Sequence, residues 1–487
     1  MNKFYGVKVG VKPGVYSNWL DAQQQIIGFP GARHKSFGTA EEAEAYLQEK
    51  EITPPHDEAP SDLNTEQRAA FDAVVAGKSI FITGPGGTGK SFLLQKLFAH
   101  YRSQKKKLAI TALTGCAALL LGSFAKTLHS WAGIGLGRGA PETIAKSIAT
   151  DTRKRQRWRT TSCLIIDEVS MLTPALLELL DTVGRLVRKD PRPFGGLQVV
   201  FVGDFYQLPP VCKDGPSSFA FESPLWSQVV ETTIFLTQIV RQKDPVFQAI
   251  LNEARVGELS PESYAILEAR KTMEWKRQEI KPTLLFTKNT DVSAINGNQL
   301  TKLTGTPHTF QATTKSPPRM PADVVQMLSD KLDKDAPYEV ELCLKERAQV
   351  MLLVNQDPAA GLVNGSRGVV TGFTEGGLPM VKFLNGPPGS VKVERAVWSS
   401  SDEEEDAVHR EQIPLRLAYA LTIHKAQGGS LDSALVDVGP STFECGQAYV
   451  ALSRVRSLES LFVFEISPKA FRVHPAVKAF YSSVAPL

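Results

Sequence analysis

The stretch GPGGTGKS at residues 84–91 sets four glycines ahead of a lysine and a serine. That spacing lets the backbone fold into a nest of N–H groups around phosphate oxygens. SIFIT (79–83) before it reads as a strand and GKSFLLQKLFAHY after it as a helix, whose N-terminal dipole also favours an anion. In this reading Gly84, Gly86, Gly87, Thr88 and Gly89 cradle the phosphates of ATP. Lys90 neutralises the β- and γ-phosphates, and Ser91 ligates Mg2+. Further on, LIIDEVSM (164–171) carries Asp167 and Glu168 out of an apolar run to the edge where α/β sheets bind ligands. Alone, an Asp-Glu pair is an ordinary solvated loop. Behind a buried strand and downstream of a phosphate loop, it reads as a magnesium-holding carboxylate and a water-activating base.

Three weaker signals surround this pair. FVGDFYQLPP (201–210) repeats the layout, a strand ending at Asp204 with Gln207 beyond it, where an amide can sense the γ-phosphate. LNTEQRAAF (63–71) places Gln67 at the start of a helix capped by Asn64 or Thr65, and a glutamine can bond the N6/N7 edge of adenine. Arg241 in LTQIVRQ and Arg454 in AYVALSRVRS are candidates to stabilise charge on a transferring phosphate, although spacing alone does not separate them from the other basic residues.

The elements that must position these groups alternate between short apolar strands and longer amphipathic stretches, the signature of a parallel sheet wrapped by helices. KLAIT (107–111), CLIID (163–167) and LQVVFVGD (197–204) continue a first α/β lobe. TLLFT (283–287), LAYAL (417–421), ALVDV (434–438) and LFVFEI (461–466) make a second. Between them, residues 300–411 hold short strands punctuated by glycine and proline, such as AQVMLLVN, GSRGVVTGF and LPMVKFL, which predict a small β-barrel insertion. SSSDEEED (399–406) reads as a solvated loop.

A length of 487 residues exceeds one ordinary core, and 42% hydrophobic with 22% charged residues is the balance of a globular protein. A net charge of +4 permits a nucleic-acid partner without demanding one. Five cysteines stand singly, without a C-x-x-C pair, so buried free thiols are expected rather than disulfides or zinc. No apolar run reaches the ~20 residues of a membrane span. Neither a secretory signal nor a clear transit peptide is evident, so the expectation is an intracellular protein, nuclear with a mitochondrial location left open, without membrane association and monomeric in solution.

Read in order, LNTEQ, GPGGTGKS, TALTGCAA, TLHSWAGIG, LIIDEVSM, FVGDFYQLPP, LTQIVRQKDPVFQAILNEARVG, GLVNGSRGVV, LTIHKAQGGSLD and QAYVALSRVRSLESL resemble the PIF-type (petite integration frequency) helicases of superfamily one. The resemblance spans about residues 60–482. It implies an α/β fold of two RecA-like lobes with ATP and Mg2+ in the cleft between them. It also implies 5′→3′ translocation on single-stranded DNA with unwinding of forked duplexes, in repair, recombination, replication or telomere maintenance. The first lobe would cover 62–235, with a small subdomain at about 136–160; the second would cover 236–299 and 412–482. Gln67 falls on the adenine, Lys90, Ser91, Asp167, Glu168 and Gln207 around the phosphates, and Arg241 and Arg454 become fingers from the second lobe. The family's DNA contacts map to Thr114 in TALTG, His129 in TLHSWAG, and Thr422, His424 and Lys425 in LTIHKAQG. The basic run DTRKRQRWR (151–159) is either an exposed helix or a DNA-proximal element, with Trp158 as a face for base stacking.

Residues 3–47 resemble a second family, the hybrid-binding domain of eukaryotic ribonuclease H, through FYGVKVGVKPGVYSNW and GFPGARHKSFGTAEEAEAYL. That resemblance implies a small β-β-α unit over 1–48 that grips an RNA–DNA hybrid, tethered by a linker, 49–61. Tyr5, Trp19, Arg33 and Lys35 are its candidate contacts, while Phe4 and Phe37 read as core. His34 stands where the family carries an aromatic residue and Ser36 where it carries a lysine; both departures should weaken the grip. Thr39 and Glu42 have capping-box spacing for the helix that follows. Two other readings compete: a nucleic-acid-stimulated ATPase that displaces proteins without unwinding, and a hybrid-binding scaffold with an inactive motor.

Overall fold

The computed structural model describes residues 4–9, 12–26, 33–40, 43–44, 47, 62–122, 124–135, 137, 139–210, 217–278, 280–287, 289–335, 337–357, 360–400 and 407–484. The linker, the acidic loop after residue 400 and Glu42 lie outside these. Two compact units divide at residue 61.

In the first unit, β1 (Phe4–Val9) pairs antiparallel with both β2 (Gly14–Tyr16) and β3 (Arg33–Phe37). A helix, Trp19–Ile26, separates β2 from β3, with Asn18 accepting the Asp21 N–H at its start. The expected β-β-α layout therefore gains a third strand, which carries Arg33 and Lys35. Opposite Phe4 stands Phe37, opposite Gly6 stands Lys35, and opposite Tyr5 stand Tyr16 and Ser36. Strand alternation thus sets Phe4, Lys35 and Phe37 on one face and Tyr5 on the other. Among its described residues Val7, Ala22 and Ala43 are fully buried.

The second unit contains two parallel sheets. The first holds β4 (Ile80–Thr83), β5 (Leu108–Ala112), β6 (Ala125–Thr127), β7 (Cys163–Asp167), β8 (Gln198–Gly203) and β9 (Thr232–Phe235), in the order β6-β5-β7-β8-β4-β9. Its central strands are apolar through consecutive middle positions, Leu164–Ile166 and Val199–Val202, because both faces are covered. Leu164 and Ile166 of β7, Val199 and Phe201 of β8 and Phe81 of β4 join one core. Cys163 and Ile165, Val200 and Val202, and Ile80 and Ile82 point into the opposite one. Each such side chain contributes about 1.5–3 kcal/mol on burial.

The second parallel sheet holds β10 (Thr283–Phe286), β11 (Ala420–Thr422), β12 (Ala434–Val438) and β13 (Leu461–Ile466), in the order β11-β10-β12-β13. The strand expected over 417–421 is broken. Leu415–Leu417 pairs antiparallel with Gln349–Leu352, and only Ala420–Thr422 joins the parallel sheet. The intervening segment, 308–417, holds a five-stranded antiparallel sheet and two smaller ones. Residues from these strands, among them Phe310, Leu342, Val350, Val370, Phe383 and Leu415, share one core. A helix, Ala322–Asp335, lies within the same segment.

One expected boundary fails. The helix Pro475–Val484, assigned through residue 482 to the second lobe, buries Val477 and Tyr481 in the first lobe's core. Phe480 stacks on Phe221 at 4.3 Å, and the Tyr481 hydroxyl bonds that of Thr83 at 2.7 Å. The chain thus returns to the first sheet after completing the second.

Among the described cysteines, Cys163 is buried while Cys343 and Cys445 are half-buried, all as free thiols. Among the described residues no helix is long and apolar enough to cross a membrane.

Candidate functional site

All strands of the first sheet run parallel, so the loops after them emerge at one edge. Sheet order divides that edge. The phosphate loop, Asp167 and Gln207 follow the adjacent strands β4, β7 and β8, while Thr114 and His129 follow β5 and β6 at the far side.

A cavity of about 270 Å³ opens over the phosphate loop. Gly86, Gly87, Gly89, Lys90, Ser91, Asp167, Glu168 and Gln207 line it from the first lobe. Arg241, Gly428 and Arg454 close it from the other side. The six residues expected to do the chemistry therefore meet around one space.

Local geometry explains how each is held. Gly87 has φ +89°, and a Cβ there would fall 2.7 Å from the Arg241 Cβ, so only glycine lets that segment lie against the loop. The Gly87 carbonyl accepts the N–H groups of Val240 and Arg241 at 2.8 and 3.1 Å. Lys90 Nζ donates to the Gly84 and Pro85 carbonyls at 2.7 and 2.9 Å. Desolvation pushes Lys90 below the ordinary lysine range, opposed by the charges of Asp204, Glu168 and Asp167. Burial, and then the charge of Glu168, raises the Asp167 carboxyl. Glu168 sits at φ 55°, a left-handed conformation, and accepts a hydrogen bond from Gln427 Nε2 at 3.1 Å.

Arg454 is 2% exposed and anchored almost entirely by backbone. Its Nε donates to the Val450 carbonyl at 2.7 Å, and one terminal nitrogen to the Ala426 and Gly429 carbonyls at 3.3 and 3.1 Å. The other donates to the Ser453 hydroxyl at 2.6 Å. Burial and then the neighbouring charge of Arg241 push it down to about 10.

Several expected contacts change character. Gln67 completes a capping box with Asn64, the cap of helix Thr65–Val75. Its Nε2 donates to the Thr88 carbonyl at 3.0 Å, so its amide ties that helix to the phosphate loop. The Thr88 side chain is buried and donates to the Pro85 carbonyl at 3.0 Å, leaving only its backbone for a ligand. Trp158 is not a stacking face. It is fully buried against Trp131, at 4.7 Å between rings, and donates to the Ala132 carbonyl at 3.0 Å. The basic run forms helix Thr152–Thr160, in which Arg157 donates to the Ser130 and Trp131 carbonyls and Arg159 to the Val187 carbonyl. Much of its charge therefore braces neighbouring segments.

Among the other candidates, the Thr114 hydroxyl accepts the Ala117 N–H and that of Thr422 accepts the Lys425 N–H, both as helix caps. His129 is half-buried on the short helix Leu128–Ala132. His424 is half-buried and lowered by desolvation, against the charge of Glu444; Lys425 beside it is exposed. In the small N-terminal unit, the Trp19 ring lies 5.3 Å from that of half-buried Tyr5 and is 39% exposed, and Lys35 is exposed.

Sequence reasoning missed three participants. The Tyr449 hydroxyl accepts the Gly86 N–H at 2.8 Å, Arg255 grips Asp204, and Gln427 reaches Glu168. All three partners, Tyr449, Arg255 and Gln427, fall inside quoted motifs, but nothing in their spacing marks them.

A phosphate loop, paired carboxylates and two facing arginines around one cleft define a two-lobed P-loop NTPase fold. Comparison with known proteins narrows the class. The family model "PIF1-like helicase" matches residues 62–258, "DNA helicase Pif1, 2B domain" matches 328–373, and "Ribonuclease H1 N-terminal domain" matches 3–47. The ATP-dependent DNA helicase PIF1 of Homo sapiens is 41% identical over 87% of this chain, which spans 64% of that relative's length. A crystal structure of the Pif1 helicase from Candida albicans is 36% identical with a TM-score of 0.73, covering 87% of this chain and 99% of that one. A Pif1 helicase from Bacteroides, solved in complex with ADP-AlF3 and ssDNA, is 29% identical with a TM-score of 0.62 and covers 87% of this chain and 98% of its own. The chain belongs to the PIF1-like helicase family.

Proposed function

We propose that this chain is an ATP-dependent DNA helicase that moves 5′→3′ along single-stranded DNA. The observation that carries the reading is the shared cavity, in which Lys90, Asp167, Glu168 and Gln207 of one lobe face Arg241 and Arg454 across the cleft. Lys90 and the loop N–H groups bind the phosphates. Glu168 takes a proton from the attacking water, Gln207 senses the γ-phosphate, and the two arginines stabilise charge on the transferring group.

The donor set fits magnesium. Ser91 and Asp167 offer two hard oxygens on the cavity, and among the described residues no cluster of three or more His, Cys, Asp or Glu side chains forms a closed metal cage. Two protein oxygens suit a cation that takes its remaining ligands from phosphate and water and neutralises the phosphoryl oxygens. Closure of the cleft on ATP and its release after hydrolysis change which lobe grips the strand. Thr114 and His129 on one lobe and Thr422, His424 and Lys425 on the other are the proposed grips. Backbone phosphate contacts supply most of the affinity.

The N-terminal unit is proposed to hold an RNA–DNA hybrid through Tyr5, Trp19, Arg33 and Lys35, adding a tether to the motor. Exposure of Trp19 and Lys35 supports this.

Single-turnover displacement of matched forked DNA–DNA and RNA–DNA substrates, with each overhang polarity and Lys90→Ala as control, tests the reading. The expected result is displacement only from a 5′ overhang and none with the variant. ATP hydrolysis without displacement would favour a translocase that strips proteins, and neither activity would favour a scaffold.

A further inference from the structure

The loop 426–429 follows directly on the proposed strand-gripping segment Thr422–Lys425, and it also reaches the cavity, which Gly428 lines. Gln427 is 6% exposed and donates through Nε2 to Glu168 Oε2 at 3.1 Å, across the cleft. Its own backbone N–H donates to the His424 carbonyl at 3.3 Å, so the side chain is fixed to the helix that bears His424 and Lys425. Gln427 Oε1 is buried without a hydrogen-bond partner. The next residue, Gly428, has φ +77°, and a Cβ there would lie 3.1 Å from Glu168 Oε1, so the backbone itself abuts the carboxylate. The carbonyls of Ala426 and Gly429 anchor the Arg454 guanidinium. Four consecutive residues thus hold both the proposed base and the proposed finger.

Taking the hydrolase reading above as given, we propose that Gln427 is a positioning residue that couples a DNA strand on Thr422–Lys425 to the orientation of Glu168. A strand that shifts helix Ile423–Ala426 carries Gln427 with it, because the two share the 424–427 hydrogen bond. The amide then turns the Glu168 carboxylate toward or away from the attacking water. An amide does this without adding charge. A carboxylate in its place would repel Glu168, and an alkyl group of similar size would leave it unheld. Leucine retains the volume but not the donor, and glutamate retains the shape but reverses the interaction.

The test uses the full chain, a fluorescent oligo-dT, and the wild type beside Gln427→Leu and Gln427→Glu. Two quantities are read: the factor by which oligo-dT stimulates ATP hydrolysis, and the ratio of oligo-dT Kd values with and without ADP–aluminium fluoride. The second is a pure binding measurement of coupling between the sites. For Gln427→Leu, stimulation is expected to fall about tenfold and the Kd ratio to move toward one, with nucleotide-free Kd within about threefold of wild type. Gln427→Glu is expected to lose at least as much. Wild-type stimulation and Kd ratio in both variants, or in Gln427→Glu alone, would overturn the proposal, as would loss of nucleotide-free DNA binding in both. If wild-type hydrolysis itself ignored oligo-dT, the hydrolase reading would fall with it. If the wild type responded and the variants responded equally, only the role of Gln427 would fall.

Discussion

Arg255 holds Asp204 through two hydrogen bonds of 2.8 and 2.9 Å, joining helix Pro245–Val256 of the second lobe to the end of β8 in the first. Asp204 is buried, and it also accepts from the Tyr481 hydroxyl at 3.3 Å. The guanidinium packs against the rings of Tyr206 and Tyr481, 4.5 and 5.6 Å from their centroids, and those rings stack directly on each other at 4.6 Å. Gln207 follows three residues after Asp204. The pair therefore links helix Pro245–Val256 to the segment that carries the proposed phosphate sensor.

Removing one partner of a buried pair leaves the other charge uncompensated. Arg255→Ala is expected to cost about 3–5 kcal/mol. The combined Asp204→Asn/Arg255→Met variant should recover part of that loss. Chemical unfolding of the three proteins measures it, and additive losses in the double variant would contradict the pairing.

Asp167 gives a stability prediction with a defined sign. Its folded-state carboxyl is raised, to about 7, through burial and the adjacent Glu168. A group raised on folding contributes stability that is present below its unfolded value, near 4, and lost as pH climbs through the folded one. Asp167→Asn should therefore stabilise the magnesium-free protein at pH 8, on the order of 1 kcal/mol, with the gain vanishing toward pH 4. The same change should abolish ATP hydrolysis. Thermal melts in chelator across that range check it, and a gain independent of pH would contradict it.

Trp158 separates a structural role from a nucleic-acid role. Because it is fully buried, Trp158→Ala should cost about 3–5 kcal/mol of stability. Single-stranded DNA affinity at low temperature, where the variant remains folded, should stay within about twofold, well below the 1–3 kcal/mol per base of a stacking residue. A large affinity loss without destabilisation would reinstate the stacking reading.

For the N-terminal unit, deletion of residues 1–48 should lower affinity for an RNA–DNA hybrid about tenfold while leaving ATPase on single-stranded DNA nearly intact. Trp19→Ala alone should reproduce part of that loss. Equal hybrid affinity with and without the unit would remove the tether.

The parallel strands were legible because burial on both faces leaves apolar runs without alternation, CLII in CLIID and IFI in SIFIT, and because the phosphate loop needs a strand before it and a helix after it. Trp158 was not, since in a nine-residue helix dominated by arginine and lysine one inward residue leaves no periodicity to read. The break between Leu417 and Ala420 was hidden because both halves are apolar and only their pairing partners differ. The cluster around Asp204 joins residues 51 and 277 positions away, so its members look unrelated along the chain. Gln67 shows the opposite limit: its place at a helix start was readable, but the Thr88 carbonyl it bonds is fixed only by the fold.

The shared cavity is tested most directly by single-turnover hydrolysis of ATP with Arg454→Lys beside the wild type. If the guanidinium acts on the transferring phosphate from across the cleft, the rate should fall about 10³-fold or more. Affinity for ATP should change by less than about tenfold, because a finger that acts chiefly in the transition state contributes little to ground-state binding. A variant that hydrolyses ATP at the wild-type rate would contradict the account.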